Sequence, residues 1–201
     1  MFKTDQPPIS DYALSSDTGL ERTLRFVFLS IKQPFWKMAV QMKDVDSKGL
    51  ESAYLFGWKR QGLAHVRANA SSLRAVLAAV PAGYGDADAL LQIASVPGLG
   101  LVKAGFVLQL VTGSAGCIDS HNLQRFGLRA GAFKYGSTAS PELKRKKALA
   151  YLDACRNAGG CESLWNGWCD YVAEQQPKRW TDGADVSRLH RTTILGDYSN
   201  A

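Results

Sequence analysis

The sequence predicts an all-α fold, an orthogonal bundle of about nine helices in one domain spanning 1–201. Three observations carry that prediction. Apolar residues recur at helical spacing through most of the chain. Proline and glycine fall where those periodic segments would have to end. No segment alternates apolar and polar residues as a half-buried strand does.

In chain order, Leu20, Leu24, Phe28 and Ile31 share one helical face, and the pattern breaks at Pro34 and resumes from Trp36 to Met42. Two helices meeting at a kink are therefore expected between Thr18 and Met42. Leu50 to Trp58 and Ser71 to Val80 read as two more, separated by the polar stretch Gln61 to Asn69, the second ended by Pro81 and Gly83. Asp86 is placed to cap a helix running to Ser95, and Leu101 to about Val111 forms the next. After the loop Gly113 to Gly116, Asp119 opens a short helix in DSHNLQRFGL. Ser140-Pro141-Glu142 combines a cap, an N1 proline and an acidic first turn, starting a helix that ends near Gly159. Cys161 to Gln175 and Ala184 to Leu195 complete the set, with no internal repeat and no low-complexity segment.

Lys plus Arg exceed Asp plus Glu by 24 to 18, a formal charge of +6 that suits a polyanionic partner without requiring one. The four cysteines, Cys117, Cys155, Cys161 and Cys169, are not spaced as a metal site, and nothing at the N-terminus reads as a secretory signal, so a reduced cytoplasmic setting is expected. The apolar stretch Phe26 to Ile31 is far short of the ~20 residues that cross a bilayer. No membrane, metal or cofactor is expected.

The most informative segment is Val96-Pro97-Gly98-Leu99-Gly100, a glycine hairpin between two apolar runs, with Asp119 nineteen positions beyond Gly100. Pro97 stops the first run, and Gly98 and Gly100 permit backbone angles that a Cβ would resist. The second run resumes at once, so hairpin amides would lie at a helix N-terminus, where free N–H groups favour a phosphate. Taken alone the hairpin also reads as an ordinary helix corner.

V-P-G-L-G-L-V-K-A (Val96 to Ala104) and I-D-S-H-N (Ile118 to Asn122) together resemble the helix-hairpin-helix DNA glycosylase superfamily, whose hairpin of type L-P-G-hydrophobic-G-x-x-x-A precedes a V-D-T-H-V-like segment by about twenty residues. The motifs cover about a sixth of the chain. The resemblance implies an orthogonal helical bundle of that type, or two closely packed lobes with a cleft near 96–122, acting on double-stranded DNA. It implies DNA contact through Val96, Gly98, Gly100 and, if it faces the phosphates rather than solvent, Lys103. It implies that Asp119 is catalytic, a role compatible with capping its helix. His121 would be a base, a phosphate contact or a buried imidazole, and Asn122 stands where the pattern usually has an apolar residue.

Members of this family that also nick DNA carry a Schiff-base lysine two residues after the last hairpin glycine. Val102 holds that position here. Lys103 is one residue further, about 100° around the helix, so no covalent sugar intermediate is expected. Some members hold an iron–sulfur cluster on four late, closely spaced cysteines; only three are late here, so no cluster is expected.

Two chemistries follow from the resemblance. In a monofunctional glycosylase, Asp119 would orient water at C1′ and release a base. In a branch found in bacterial viruses, amino acid:DNA transferases join an amino acid co-substrate to 5-(pyrophosphomethyl)uracil in DNA and displace pyrophosphate; the missing lysine and the polar D-S-H-N look more like that branch. Asp119, with His121, would then deprotonate the amine. Lys103, Arg125 and Arg129, with Asn122, would contact the amino acid or the leaving group. A non-catalytic DNA-binding module is the third reading. Trp165 and Trp168 read as core before base-stacking platforms, and Lys144-Arg145-Lys146-Lys147 as a solvated basic face.

Overall fold

Ten α-helices and two 3-10 turns make up the described part of the protein, a computed structural model covering residues 9–81, 85–129, 131–175 and 186–196. The helices are α1 (Ser10–Ser15), α2 (Asp17–Ser30), α3 (Met38–Lys48), α4 (Trp58–Ala78), α5 (Ala87–Ala94), α6 (Leu101–Val111), α7 (Ser120–Arg125), α8 (Pro141–Asn157), α9 (Gly160–Gln175) and α10 (Val186–Leu195). No strand occurs among the described residues, so the all-α expectation holds. Gly83 and Ala184, read as a helix stop and a helix start, lie outside them.

Four helix starts follow from local chemistry. Ser16, Asp86, Asp119 and Ser140 each accept a first-turn amide, and Pro141 occupies N1 of α8. The break at Pro34 is real: α2 stops at Ser30, and a 3-10 turn, Phe35–Lys37, leads into α3.

Two expectations fail in the first half. Leu50 to Trp58 is not a helix, because Gly49 and Gly57 bracket it at positive φ and leave only a 3-10 turn, Gly49–Glu51, and a loop. The stretch Gln61 to Asn69 is not a break. It belongs to α4, whose buried stripe Leu63, Val66, Ala70, Leu73 and Leu77 keeps helical spacing beneath polar neighbours on the outer face. Asn69 kinks the helix at φ −125° and ψ 15°, and its side-chain amide donates to the His65 carbonyl at 2.8 Å. The short helix α1, with Ala13 as its one buried residue, gave no periodic signal.

One continuous buried cluster runs from Ile9 to Ile194. Helices α2 and α6 supply its centre: α2 buries Leu20, Leu24 and Phe26 to Leu29, and α6 is buried over nearly its whole length. Helix α2 packs on α1, α3, α4 and α6, while α5 packs on α6 and α8, and α9 on α7, α8 and α10. Outside this core, Asp46 of α3 accepts from Arg22 at 2.6 Å and Arg25 at 2.5 Å, and Glu21 from Arg25 at 2.8 Å and Arg67 at 2.9 Å, tying α2, α3 and α4. Among the described residues no helix is long and apolar enough to cross a membrane.

All four cysteines are free. Burial pushes the thiols of Cys117, Cys155 and Cys161 up to about 12. At pH 8 their thiolate fraction is on the order of 10⁻⁴. Iodoacetamide at that pH should leave these three unmodified in the native protein and alkylate them after denaturation, as peptide mass mapping would show; rapid native alkylation would contradict the packing.

Candidate active site

The hairpin is built by packing from below. Gly98 has φ +84°, and a Cβ there would stand 2.5 Å from the Trp58 ring. Gly62 of α4 passes directly beneath, where a Cβ would meet the Pro97 carbonyl at 2.4 Å. Val96, 1% exposed, anchors the hairpin in the core, so its side chain is not available to DNA. Gly100 departs from expectation: its backbone is extended, at φ −142° and ψ −176°, and a Cβ there would meet nothing within 4 Å. No side chain caps α6, and the amides of Leu101, Val102 and Lys103 find no acceptor among the described residues. These donors lie beside exposed hairpin residues, as a phosphate clamp requires.

The segment that delivers Asp119 is buried yet has no regular structure: Ala115, Gly116, Cys117 and Ile118 are all inside. Its backbone polar groups must therefore be met by side chains. Gln109 of α6 accepts from the Cys117 amide at 3.1 Å and donates to the Cys161 carbonyl at 3.1 Å. The Tyr151 hydroxyl of α8 donates to the Gly116 carbonyl at 2.6 Å and accepts from the Ile118 amide at 3.0 Å; burial raises its pKa well above the usual phenol value. Asn122 donates to the carbonyls of Cys117 at 2.8 Å and Leu164 at 3.1 Å. Gly105 allows the close approach, since a Cβ there would sit 2.3 Å from the Tyr151 oxygen.

Asp119 then caps α7, its Oδ1 accepting from the amides of His121 at 3.1 Å and Asn122 at 3.0 Å. Its Oδ2 has no partner among the described residues. Two cavities meet at this point, sharing Lys103, Asp119 and Ser120 in their walls. One, of about 570 Å³, runs along Gly100, Leu101 and Val102 to Lys134. The other, of about 630 Å³, is closed by Phe35, Trp168 and Tyr171. Phe35 meets Trp168 edge-on at 5.5 Å, and His121 stacks on Tyr171 with centroids 3.3 Å apart.

The predicted residues thus divide. Asp119, His121 and Lys103 come together on the larger cavity, and Gly100 with the α6 amides lies on the smaller. Asn122, 1% exposed with both amide hydrogens used by the core, is a structural clamp rather than a substrate contact. Arg125 and Arg129 are exposed and off both cavities, Arg125 standing 3.9 Å from Asp170 across α9. Trp165 is core, whereas Trp168 is cavity wall. Lys144 and Lys147 donate to the carbonyls of Ser137 and Ala132, and Arg145 pairs with Asp88.

The sequence reading missed Gln109, Tyr151, Phe35, Tyr171, Ser30 and Lys59. Gln109 had a signal, as the lone uncharged polar residue in LVKAGFVLQLV. No protein-family model, curated protein or solved structure matches the chain.

The hairpin geometry separates its two glycines. Gly98→Ala should destabilise the protein by at least ~1 kcal/mol in urea unfolding, while Gly100→Ala should stay within about 0.5 kcal/mol of the parent. Equal effects would contradict this packing.

Proposed function

We propose that this protein is a DNA-base-processing enzyme of the helix-hairpin-helix glycosylase type and, more narrowly, an amino acid:DNA transferase acting on 5-(pyrophosphomethyl)uracil in double-stranded DNA. One observation carries the proposal: Asp119 stands where a hairpin groove with open amides meets an aromatic-walled cavity. A base must leave the duplex stack before such a residue can reach it. The backbone phosphate would rest on the α6 amides, and the extruded base would enter between the aromatic side chains.

The larger cavity, at about 630 Å³, lies in the ~300–1,000 Å³ range of small-molecule sites and has room for more than a pyrimidine. That favours transfer, in which a second substrate must sit beside the base. The amine nitrogen attacks the exocyclic methylene carbon, the carbon–oxygen bond to pyrophosphate breaks, and the amine loses a proton to Asp119 Oδ2, the oxygen left open by the capping bonds. His121, stacked on Tyr171 in the wall of the same cavity, would pass that proton on. Excision is the second reading, favoured by the same open oxygen, which would orient a water at C1′. The apolar Val102 on the groove wall supplies no amine for a covalent sugar intermediate.

Asp119→Asn tests both, because asparagine retains the helix cap and removes the charge. Turnover should fall by ~100-fold or more with duplex binding largely kept; an unaffected reaction would leave only a binding module. Incubation with DNA carrying 5-(pyrophosphomethyl)uracil and amino acids, then nucleoside mass analysis, should yield an aminated thymidine. Free base or abasic sites would instead establish excision.

A further inference from the structure

The C-terminal turn of α2 gathers lysines without a carboxylate partner. Lys59 of α4 is 2% exposed, and its ammonium donates to the carbonyls of Leu29 at 3.4 Å and Ile31 at 3.3 Å. It occupies the negative end of the α2 dipole, where a cation is favoured. Lys103 approaches the same turn from α6, with Nζ 3.4 Å from Ser30 Oγ and 5.2 Å from the Phe106 ring centre. It forms no ion pair among the described residues, although it lines the cavity beside Asp119.

Lys32 and Lys103 line the larger cavity, Lys59 lies behind its wall, and Asp119 is the one acid among the described lining residues. The helix carbonyls that would otherwise attract Lys103 are already met by Lys59. Burial, and then the charge of Lys103, lower the pKa of Lys59, as expected of cations crowded without a counter-ion. Burying such a charge without a carboxylate is costly. An anion bound in the cavity would offset that cost.

We propose that Lys103, held by a Ser30 hydroxyl that accepts from it while donating to the Val27 carbonyl at 2.7 Å, forms with Lys32 at the rim an oxyanion subsite within the cavity that binds a phosphoryl group, and that Lys59 is the positioning residue that leaves the charge of Lys103 available. The cation excess over Asp119 suits a multiply charged phosphoryl group better than a single carboxylate. The subsite deepens the base-processing proposal and rests on it only for the ligand's origin: the pyrophosphate displaced from the base would depart here.

The test is calorimetric titration of the full-length protein with inorganic pyrophosphate, and separately with glutamate, at fixed ionic strength. Lys103→Met should weaken pyrophosphate binding by roughly tenfold or more, Lys103→Arg should recover part of it, and Lys59→Met should weaken it by about threefold or more. Lys144→Met, far from the cavity, should change nothing. Lys103→Gln, a polar replacement, serves if the methionine variant does not fold. No pyrophosphate binding, binding indifferent to Lys103, or tighter binding of glutamate would overturn the subsite. Lys103-dependent pyrophosphate binding in a protein that neither aminates nor excises bases would keep the subsite and sink the base-processing reading. Amination with pyrophosphate binding unaffected by Lys103 would do the reverse.

Discussion

The rest of the site depends on the need to satisfy backbone polar groups in a buried segment that has no helix to do it. The chain between α6 and α7 passes through the core, and an unmet N–H or C=O there would cost about 1–3 kcal/mol. Gln109, Tyr151 and Asn122, from three helices, supply the missing bonds. Their geometry fixes where the segment emerges, and Asp119 follows Cys117 and Ile118 onto the cavity walls. A carboxylate held this way is oriented before any ligand arrives, which is how a site avoids the cost of ordering itself during a reaction.

The same economy operates at the hairpin. Trp58, Lys59 and Gly62 fall within the first two turns of α4 and face two places at once: Trp58 and Gly62 support Gly98 and Pro97, while Lys59 holds the turn after α2 that walls the cavity. The hairpin and the cavity are thereby braced by one helix end. Leaving α6 uncapped completes the division of labour, since α2, α5, α7 and α8 all have side-chain caps. The α6 amides left open lie beside the exposed hairpin, although α1, α3 and α4 also start without a side-chain cap.

The fold class was legible because helical periodicity and capping residues are local signals. The hairpin and Asp119 were legible for the same reason, each being written in consecutive residues. What stayed hidden depends on contacts between distant segments. Polar residues on the outer face of α4 disguised a buried stripe, so the helical turns before the kink at Asn69 looked like a loop. Asn122 looked like a ligand contact because only the packed core reveals that its amide is already used. Arg125 and Arg129 are near Asp119 in sequence yet lie off the cavity, while Lys59 and Ser30 reach its wall from parts of the chain with no motif. Gly100, similar to Gly98 in sequence, differs in backbone geometry and in having nothing packed where a Cβ would stand.

The central claim is that hairpin groove and cavity form one site joined at Asp119. The most direct measurement is a crystal structure of the Asp119→Asn protein with duplex DNA bearing 5-(pyrophosphomethyl)uracil. A backbone phosphate on the amides of Leu101 to Lys103 and the modified base turned out beside Trp168 and Tyr171 is the expected outcome. DNA seated on another face, or a base left stacked in the duplex with the cavity unvisited, would contradict it.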